Sequence, residues 1–304
     1  MRLNFWSIAV SGAVSGAAAI AAGTAAWGAV HSTSEIFGAT LHHTRRRGEV
    51  ALTFDDGPNP AITPQLLALL ERHSVRATFF LVGRFARACP ELVREIAARG
   101  HALGNHTETH PNLALLRGAR VEQEVRRCSD SIAEALRGAG RTPAWMRPPF
   151  GYRGPQVAGA VRRAGLRGVA MWSLKFYDWR PQPASRLIER LGRLGRLGEP
   201  RRLRQAEPAG GVSAQGREHE DGAFGSGRGA ARKRDLRSRD GQGGDVVLLH
   251  DGDFRALGAD QRHVLVALEY WLPRWQDAGL KFVTIDAVAD TMPAGKGCGG
   301  RSHG

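Results

Sequence analysis

The sequence predicts a parallel α/β fold: a distorted (β/α) barrel of about seven strands, preceded by an N-terminal transmembrane or signal helix. Three observations carry this expectation. From Glu49 onward, short apolar runs alternate with amphipathic stretches, the pattern of strand–helix units in a parallel sheet. About seven such runs fall within roughly 240 residues, a length that suits a barrel. Polar residues cluster just after several of the apolar runs, and strand C-termini form the rim on which parallel barrels build their sites.

The elements follow in chain order. Val50–Phe54 is a short apolar run ending at Asp55-Asp56-Gly57-Pro58, a strand entering a tight loop. Thr63-Pro64 starts a helix that runs to about His73, with Thr as cap and Pro in the first turn. Ala77–Val82 is a buried strand, Pro90–Ala98 a helix stopped before Gly100, and His101–Gly104 a short strand. In Ala119–Leu136, the residues Val121, Val125, Cys128, Ile132 and Leu136 recur at helical spacing on one face. Ala144–Met146 and Gly168–Trp172 read as strands around a Pro155–Ala164 helix. Ala184–Leu191 begins a helix, Asp245–Leu249 is a strand, Asp260–Asp277 a helix, and Phe282–Ile285 the last strand.

Outside this pattern lie four segments. Phe5–Val30 carries no formal charge over 26 residues, and about 20 apolar residues span a bilayer as a helix. Residues 1–30 therefore read as a transmembrane anchor, or as a signal peptide cleaved at a small-residue site. Either places the rest of the chain outside the cytoplasm. Residues 31–48 read as a polar linker, 193–244 as a disordered Gly/Arg-rich insertion, and 291–304 as a flexible tail. The net charge of +14 permits attraction to anionic surfaces. All but four of the 43 basic residues are arginine, no recognition motif is present, and no nucleic-acid partner is expected. Three cysteines exclude a disulfide-dense scaffold. Cys89 and Cys128 fall on neighbouring predicted helices, where a disulfide or two buried thiols are both open readings.

The polar clusters define a candidate site. His106 and His110 are four residues apart, so one helical turn can aim both imidazoles at one metal ion. The Asp56 carboxylate completes a set of two histidines and one carboxylate. Such a set suits zinc first, and cobalt or another divalent ion as well. Trp145, Trp172, Tyr177 and Trp179 are aromatic candidates to line the site, Trp179 foremost as a pocket wall.

Taken together, these residues resemble the polysaccharide deacetylases of carbohydrate esterase family 4, which share the NodB homology domain. The resemblance covers Glu49–Asp290, about four-fifths of the chain. Thr53-Phe54-Asp55-Asp56-Gly57-Pro58 is similar to the first family motif and His106-Thr107-Glu108-Thr109-His110 to the second. Arg147-Pro148-Pro149-Phe150 resembles the third, Leu174–Trp179 the fourth, and Val247-Leu248-Leu249-His250 the fifth. The resemblance implies roles. Asp55 would be the general base, Asp56, His106 and His110 the metal ligands, and Arg147 the residue that holds Asp55 ionised and oriented. His250 would be the general acid with Asp178 as its partner, and the Phe150 backbone N–H would bind the oxyanion. Two positions depart from the family pattern. Lys175 stands where the fourth motif commonly has an acid, and Phe150 where the third often has tyrosine.

The implied activity is metal-dependent removal of N-acetyl groups from a polysaccharide, either peptidoglycan or a chitin-like chain of N-acetylglucosamine units. A hydrolase of small cyclic amides or imides on the same domain is an alternative, against which the N-terminal segment argues. A non-enzymatic glycan-binding module is another; it predicts a missing ligand or base, and none is missing. The oligomeric state is left open.

Overall fold

The longest strand, β2 (Glu49–Gly57), is buried at every position after the first. It has no polar face because it lies inside the sheet with both faces covered, as parallel strands do. It pairs in parallel with β3 (Thr78–Leu81) on one side and β8 (Asp245–His250) on the other, so that Phe54 sits beside Phe79 and Leu249. This computed structural model describes residues 21–137, 142–195 and 244–290.

Among the described residues nine strands form one sheet. They are β1 (Thr40–Leu41), β2, β3, β4 (Ala102–Asn105), β5 (Trp145–Met146), β6 (Gly168–Ala170), β7 (Leu174–Lys175), β8 and β9 (Lys281–Phe282). The order is β1-β6-β5-β4-β3-β2-β8-β7, with β9 also on β2. Strand β7 ends the ladder on one side and β6 stands next to last on the other, yet only Met171–Ser173 separates them in the chain. One extended stretch thus joins both sides, and the sheet curls into a distorted, incompletely closed barrel. Ser173 N–H donating to Val246 O marks the seam.

The helices around the barrel are α2 (Thr63–Arg72), α3 (Gly83–Ala88), α4 (Pro90–Ala98), α5 (Gly118–Ala135), α6 (Pro155–Arg163), α7 (Ala184–Gly195), α8 (Arg262–Asp277) and α9 (Ile285–Asp290). Alternation along β2 divides the core. Val50, Leu52 and Phe54 join Leu66, Leu70, Leu268 and Trp275 in one cluster, while Ala51 joins Phe80, Met146, Val169 and Leu248 in the other. Period-two geometry puts Thr53 and Asp55 on the Ala51 side.

Several expectations are corrected. The strand count rises from about seven to nine because of two further two-residue strands, β1 and β7. The predicted strand Phe282–Ile285 stops at Phe282, and Ile285 opens α9 instead. Residues 31–48 are not a linker. They contain β1, paired to β6, and Leu41 is buried. Arg153, 2% exposed, fastens the preceding stretch: its backbone N–H donates to Ala29 O and its guanidinium to His31 O and Ser34 O. The two carbonyls that take the guanidinium follow directly after a helix over 21–30, α1, whose C-terminal end suits a buried cation. Among the described residues no helix is long and apolar enough to cross a membrane. Most of the expected 1–30 anchor, positions 196–243 of the 193–244 insertion and the 291–304 tail lie outside the described residues. Cys89 and Cys128 are free thiols.

Candidate active site

Successive side chains of a regular strand point to opposite faces, so Asp55 and Asp56 cannot both serve one site from an unbroken β2. The β2–β3 register shifts between Asp55 and Gly57, and Asp56 takes φ 70°. A bulge of this kind re-aims a side chain beside a site. As a result Asp55 Oδ2 lies 3.8 Å, and Asp56 Oδ1 3.4 Å, from His106 Nε2.

The two histidines also converge, though not by a helical turn. Residues 106–110 form a loop with left-handed backbone at Thr107 (φ 67°) and His110 (φ 60°). Side chains pin it: Thr107 N–H donates to Asn105 Oδ1, His110 N–H to Thr107 Oγ1, and Thr109 N–H to Glu124 Oε2. Buried Glu108 turns away from the histidines, to Arg87 and Ser131. His106 Nδ1 donates to Arg147 O at 2.8 Å, which leaves the Nε2 lone pair for the site. His110 Nε2 lies 3.2 Å from Asp56 Oδ1.

Arg147 is wholly buried. Its Nη1 donates to Asp55 Oδ1 at 2.8 Å and to Thr53 Oγ1 at 2.6 Å, and Nε and Nη2 donate to Ala170 O and Met171 O. Those two carbonyls border the break between β6 and β7, so the guanidinium satisfies acceptors that the interrupted ladder frees. Burial depresses its pKa, and the Asp55 charge offsets that.

Across the rim, His250 pairs in register with Asp55. Asp178 holds it twice, accepting from His250 N–H at 2.6 Å and facing Nδ1 at 3.1 Å. Burial disfavours the imidazolium, but Asp178, then Asp56 and Asp55, raise its pKa to about 9. The Trp179 ring lies 5.4 Å from the His250 ring and lines a 530 Å³ cavity with Asp253, Arg255 and His263. Trp179 therefore borders the site. Trp145 and Trp172 pack in the core, with Trp172 beside the Arg147 guanidinium. Tyr177 is 39% exposed, and the Lys175 ammonium lies over its ring.

The loop after β5 turns at Phe150 (φ 59°) and Gly151 (φ 74°), where a Cβ on Gly151 would run into the Trp172 ring. Phe150 is 47% exposed, and its ring meets His110 edge-on at 4.7 Å. Five of the seven described non-glycine residues with positive φ (Asp56, Thr107, His110, Phe150 and Tyr177) lie in these rim loops. Strained backbone of this kind collects at functional sites.

Two neighbours stand outside the roles read from the sequence. Phe254 stacks on His110 with centroids 3.9 Å apart; a lone Phe in a polar loop carries no pattern. Asp251, next to His250, accepts from Thr63 Oγ1, and burial raises its pKa to about 7.

The residues present fit a divalent ion. One ligand atom each from Asp56, His106 and His110 lies within 4.8 Å of the others, and all three residues are buried. Asp56 Oδ1 is enclosed with no conventional hydrogen bond. Burial opposes its ionisation, but His106, His110 and His250 hold its carboxyl well below the usual range. Burial likewise lowers the His110 pKa, only partly offset by Asp56, which favours the ligating neutral form. The donor set of two nitrogens and one oxygen suits zinc among several metals.

Fold and rim together define a parallel α/β barrel of the hydrolase kind, with a His/His/Asp group able to hold a metal beside a further carboxylate and an Asp-paired histidine. Comparison with known proteins narrows this. The polysaccharide deacetylase family profile matches residues 42–169. A chitooligosaccharide deacetylase of Azorhizobium caulinodans is 36% identical over 156 residues, 51% of this chain and 73% of that protein. The chain belongs to the polysaccharide deacetylase family. A peptidoglycan-N-acetylglucosamine deacetylase of Bacillus cereus is 42% identical over 136 residues, 44% of this chain and 47% of its own length. Among solved structures, a peptidoglycan N-acetylglucosamine deacetylase superposes with a TM-score of 0.58 at 26% identity, covering 82% of this chain and 91% of the other.

Proposed function

We propose that this protein is a metal-dependent hydrolase that removes N-acetyl groups from a polysaccharide of N-acetylglucosamine units, peptidoglycan or chitin-like, and releases acetate. The observation that carries the reading is the meeting of Asp55, Asp56, His106 and His110 at one point, with Asp56 Oδ1 3.2 and 3.4 Å from the two imidazole nitrogens and the Asp55 carboxylate 3.8 Å from one of them.

Asp56 Oδ1, His106 Nε2 and His110 Nε2 would hold one divalent ion, with zinc the first expectation. When bound, such an ion lowers the pKa of water and polarises a carbonyl. The chain's own groups do the rest. Arg147 occupies Asp55 Oδ1, which leaves Oδ2, on the His106 side, to take the proton of the attacking water. The water oxygen bonds to the acetyl carbon, and charge grows on the carbonyl oxygen. The Phe150 N–H, set by its left-handed turn, donates to that oxygen in the transition state. His250, held cationic by Asp178, gives its proton to the amine as the carbon–nitrogen bond breaks, since an amine leaves poorly unless protonated. Acetate and a glucosamine unit result. Trp179, beside His250, stacks on the sugar.

The uncharged Phe5–Val30 run supports placing the domain outside the cytoplasm, membrane-anchored or, if cleaved, secreted. The test is acetate release by the full chain from peptidoglycan and from chitin oligomers, with chelator and after added zinc. The reading expects release that chelator stops and zinc restores, and none from His110→Ala, a variant that still folds. Undiminished release by His110→Ala overturns the metal assignment.

A further inference from the structure

The two imidazoles of the metal triad are held in different ways. His106 donates its Nδ1 proton to Arg147 O at 2.8 Å. An outer bond of this kind normally fixes the ring of a metal-binding histidine, and losing one costs 10–100-fold in affinity. His110 Nδ1 is buried and has no hydrogen-bond partner among the described residues. Its ring is clamped by carbon instead. Phe254 lies face to face with it, 3.9 Å between centroids and 15° from parallel. Phe150 meets it edge-on at 4.7 Å and 76°. The two phenylalanines also brace each other at 5.3 Å and 89°.

The clamp is itself anchored. Arg84 donates to Phe254 O, and Gln261 Nε2 donates to Gly252 O. Gly252 packs so closely on Asp56 O that no Cβ fits there. The turn that carries Phe254 is thereby fixed to the strand end that carries Asp56, the partner of His110. Aromatic pairs in these geometries attract beyond what their buried area supplies, and two such contacts act on this one ring.

We propose that Phe254 is a positioning residue. By stacking on His110 it takes the place of the missing outer hydrogen bond, holds Nε2 toward Asp56, and sets the affinity of the site for its divalent ion. The inference rests on the metal reading above. Its test is zinc binding by the full chain in competition with a chromophoric chelator, a readout that needs no turnover.

Phe254→Ala should raise the zinc Kd about tenfold or more, while Phe254→Tyr, which keeps the ring, stays within about twofold. The visible spectrum of the cobalt-loaded protein should change in Phe254→Ala and not in Phe254→Tyr. Melting of the metal-free proteins checks folding, and if Phe254→Ala does not fold, Phe254→Met replaces it in both comparisons. A Kd within about twofold of wild type for the ring-less variant overturns the proposal alone, as does equal weakening by Phe254→Tyr. A wild-type chain that takes up neither zinc nor cobalt overturns the metal reading, and this proposal with it.

Discussion

His250 shows how one side chain acquires its chemistry from neighbours far away in sequence. Burial alone would keep it neutral, yet Asp178 and the two aspartates of β2 raise its pKa to about 9. As general acid it must be charged, so kcat/KM should fall as pH rises toward that value. A divalent ion on Asp56 offsets part of the negative field, which puts the limb of the loaded enzyme at or below about 9. Asp178→Asn keeps an acceptor for the His250 backbone but removes the charge. Its alkaline limb should move to lower pH, visible in a pH series of acetate release, and an unmoved limb would remove His250 from the acid role. The motif residues were legible because each is a reactive type at a strand end. Phe254 and the orienting groups Asn105 and Glu124 were not, because their partners are set by folding: Glu124 meets Thr109 across 15 positions. The sequence reading brought His106 and His110 together by a helical turn, and the structure does so by two left-handed residues that no spacing rule reveals.

At the level of elements, legibility followed length. β2, β3 and β8 are runs of apolar residues long enough to be read alone, and α2, α4 and α6 carry Pro at their starts. β1 and β7, two residues each, have no such signal, because they exist only where a neighbour supplies the ladder: β1 forms on β6 and β7 on β8. The interruption between β6 and β7 matters most, since Arg147 fills it. The guanidinium bonds the carbonyls of Ala170 and Met171 while holding Asp55, and so ties the seam of the barrel to the base of the site. Arg147→Met keeps much of the volume and leaves a buried carboxylate and two carbonyls without their donor. Breaking one side of a buried pair costs about 3–5 kcal/mol. The variant should lose about that much in urea unfolding of the metal-free protein, and its activity with it. A loss below about 1 kcal/mol would mean that water or a shifted strand closes the seam without the arginine.

Across the whole molecule, two buried groups that are not ligands, His101 at the far end of the barrel and Asp251 beside the site, set how stability answers to pH between about 4 and 6.5. His101 lies at the start of β4, the end of the barrel opposite the catalytic rim. Its Nδ1 accepts from Ala77 N–H, and its ring meets Phe79 edge-on. Burial, then Arg76 and Arg99, push its pKa down to about 4. Between about pH 4 and 6.5 the unfolded chain therefore holds a proton there that the folded chain lacks. Stability from His101 is fully present above about 6.5 and is lost as pH falls toward 4, with a slope of up to about 1.4 kcal/mol per pH unit. Asp251 acts in the opposite sense. Its folded pKa of about 7 lies above the ordinary 3.8, so the folded chain holds the extra proton and stability falls as pH rises between those values. Over pH 4–6.5 the two slopes oppose and largely cancel. Replacing His101 by Gln should expose the Asp251 slope, so that metal-free His101→Gln becomes relatively more stable toward acid than wild type. Asp251→Asn should do the reverse and become relatively less stable toward acid. Urea unfolding at pH 4.5 and 6.5 with chelator present measures both differences, and parallel pH dependence in all three proteins would mean that neither group changes protonation on unfolding.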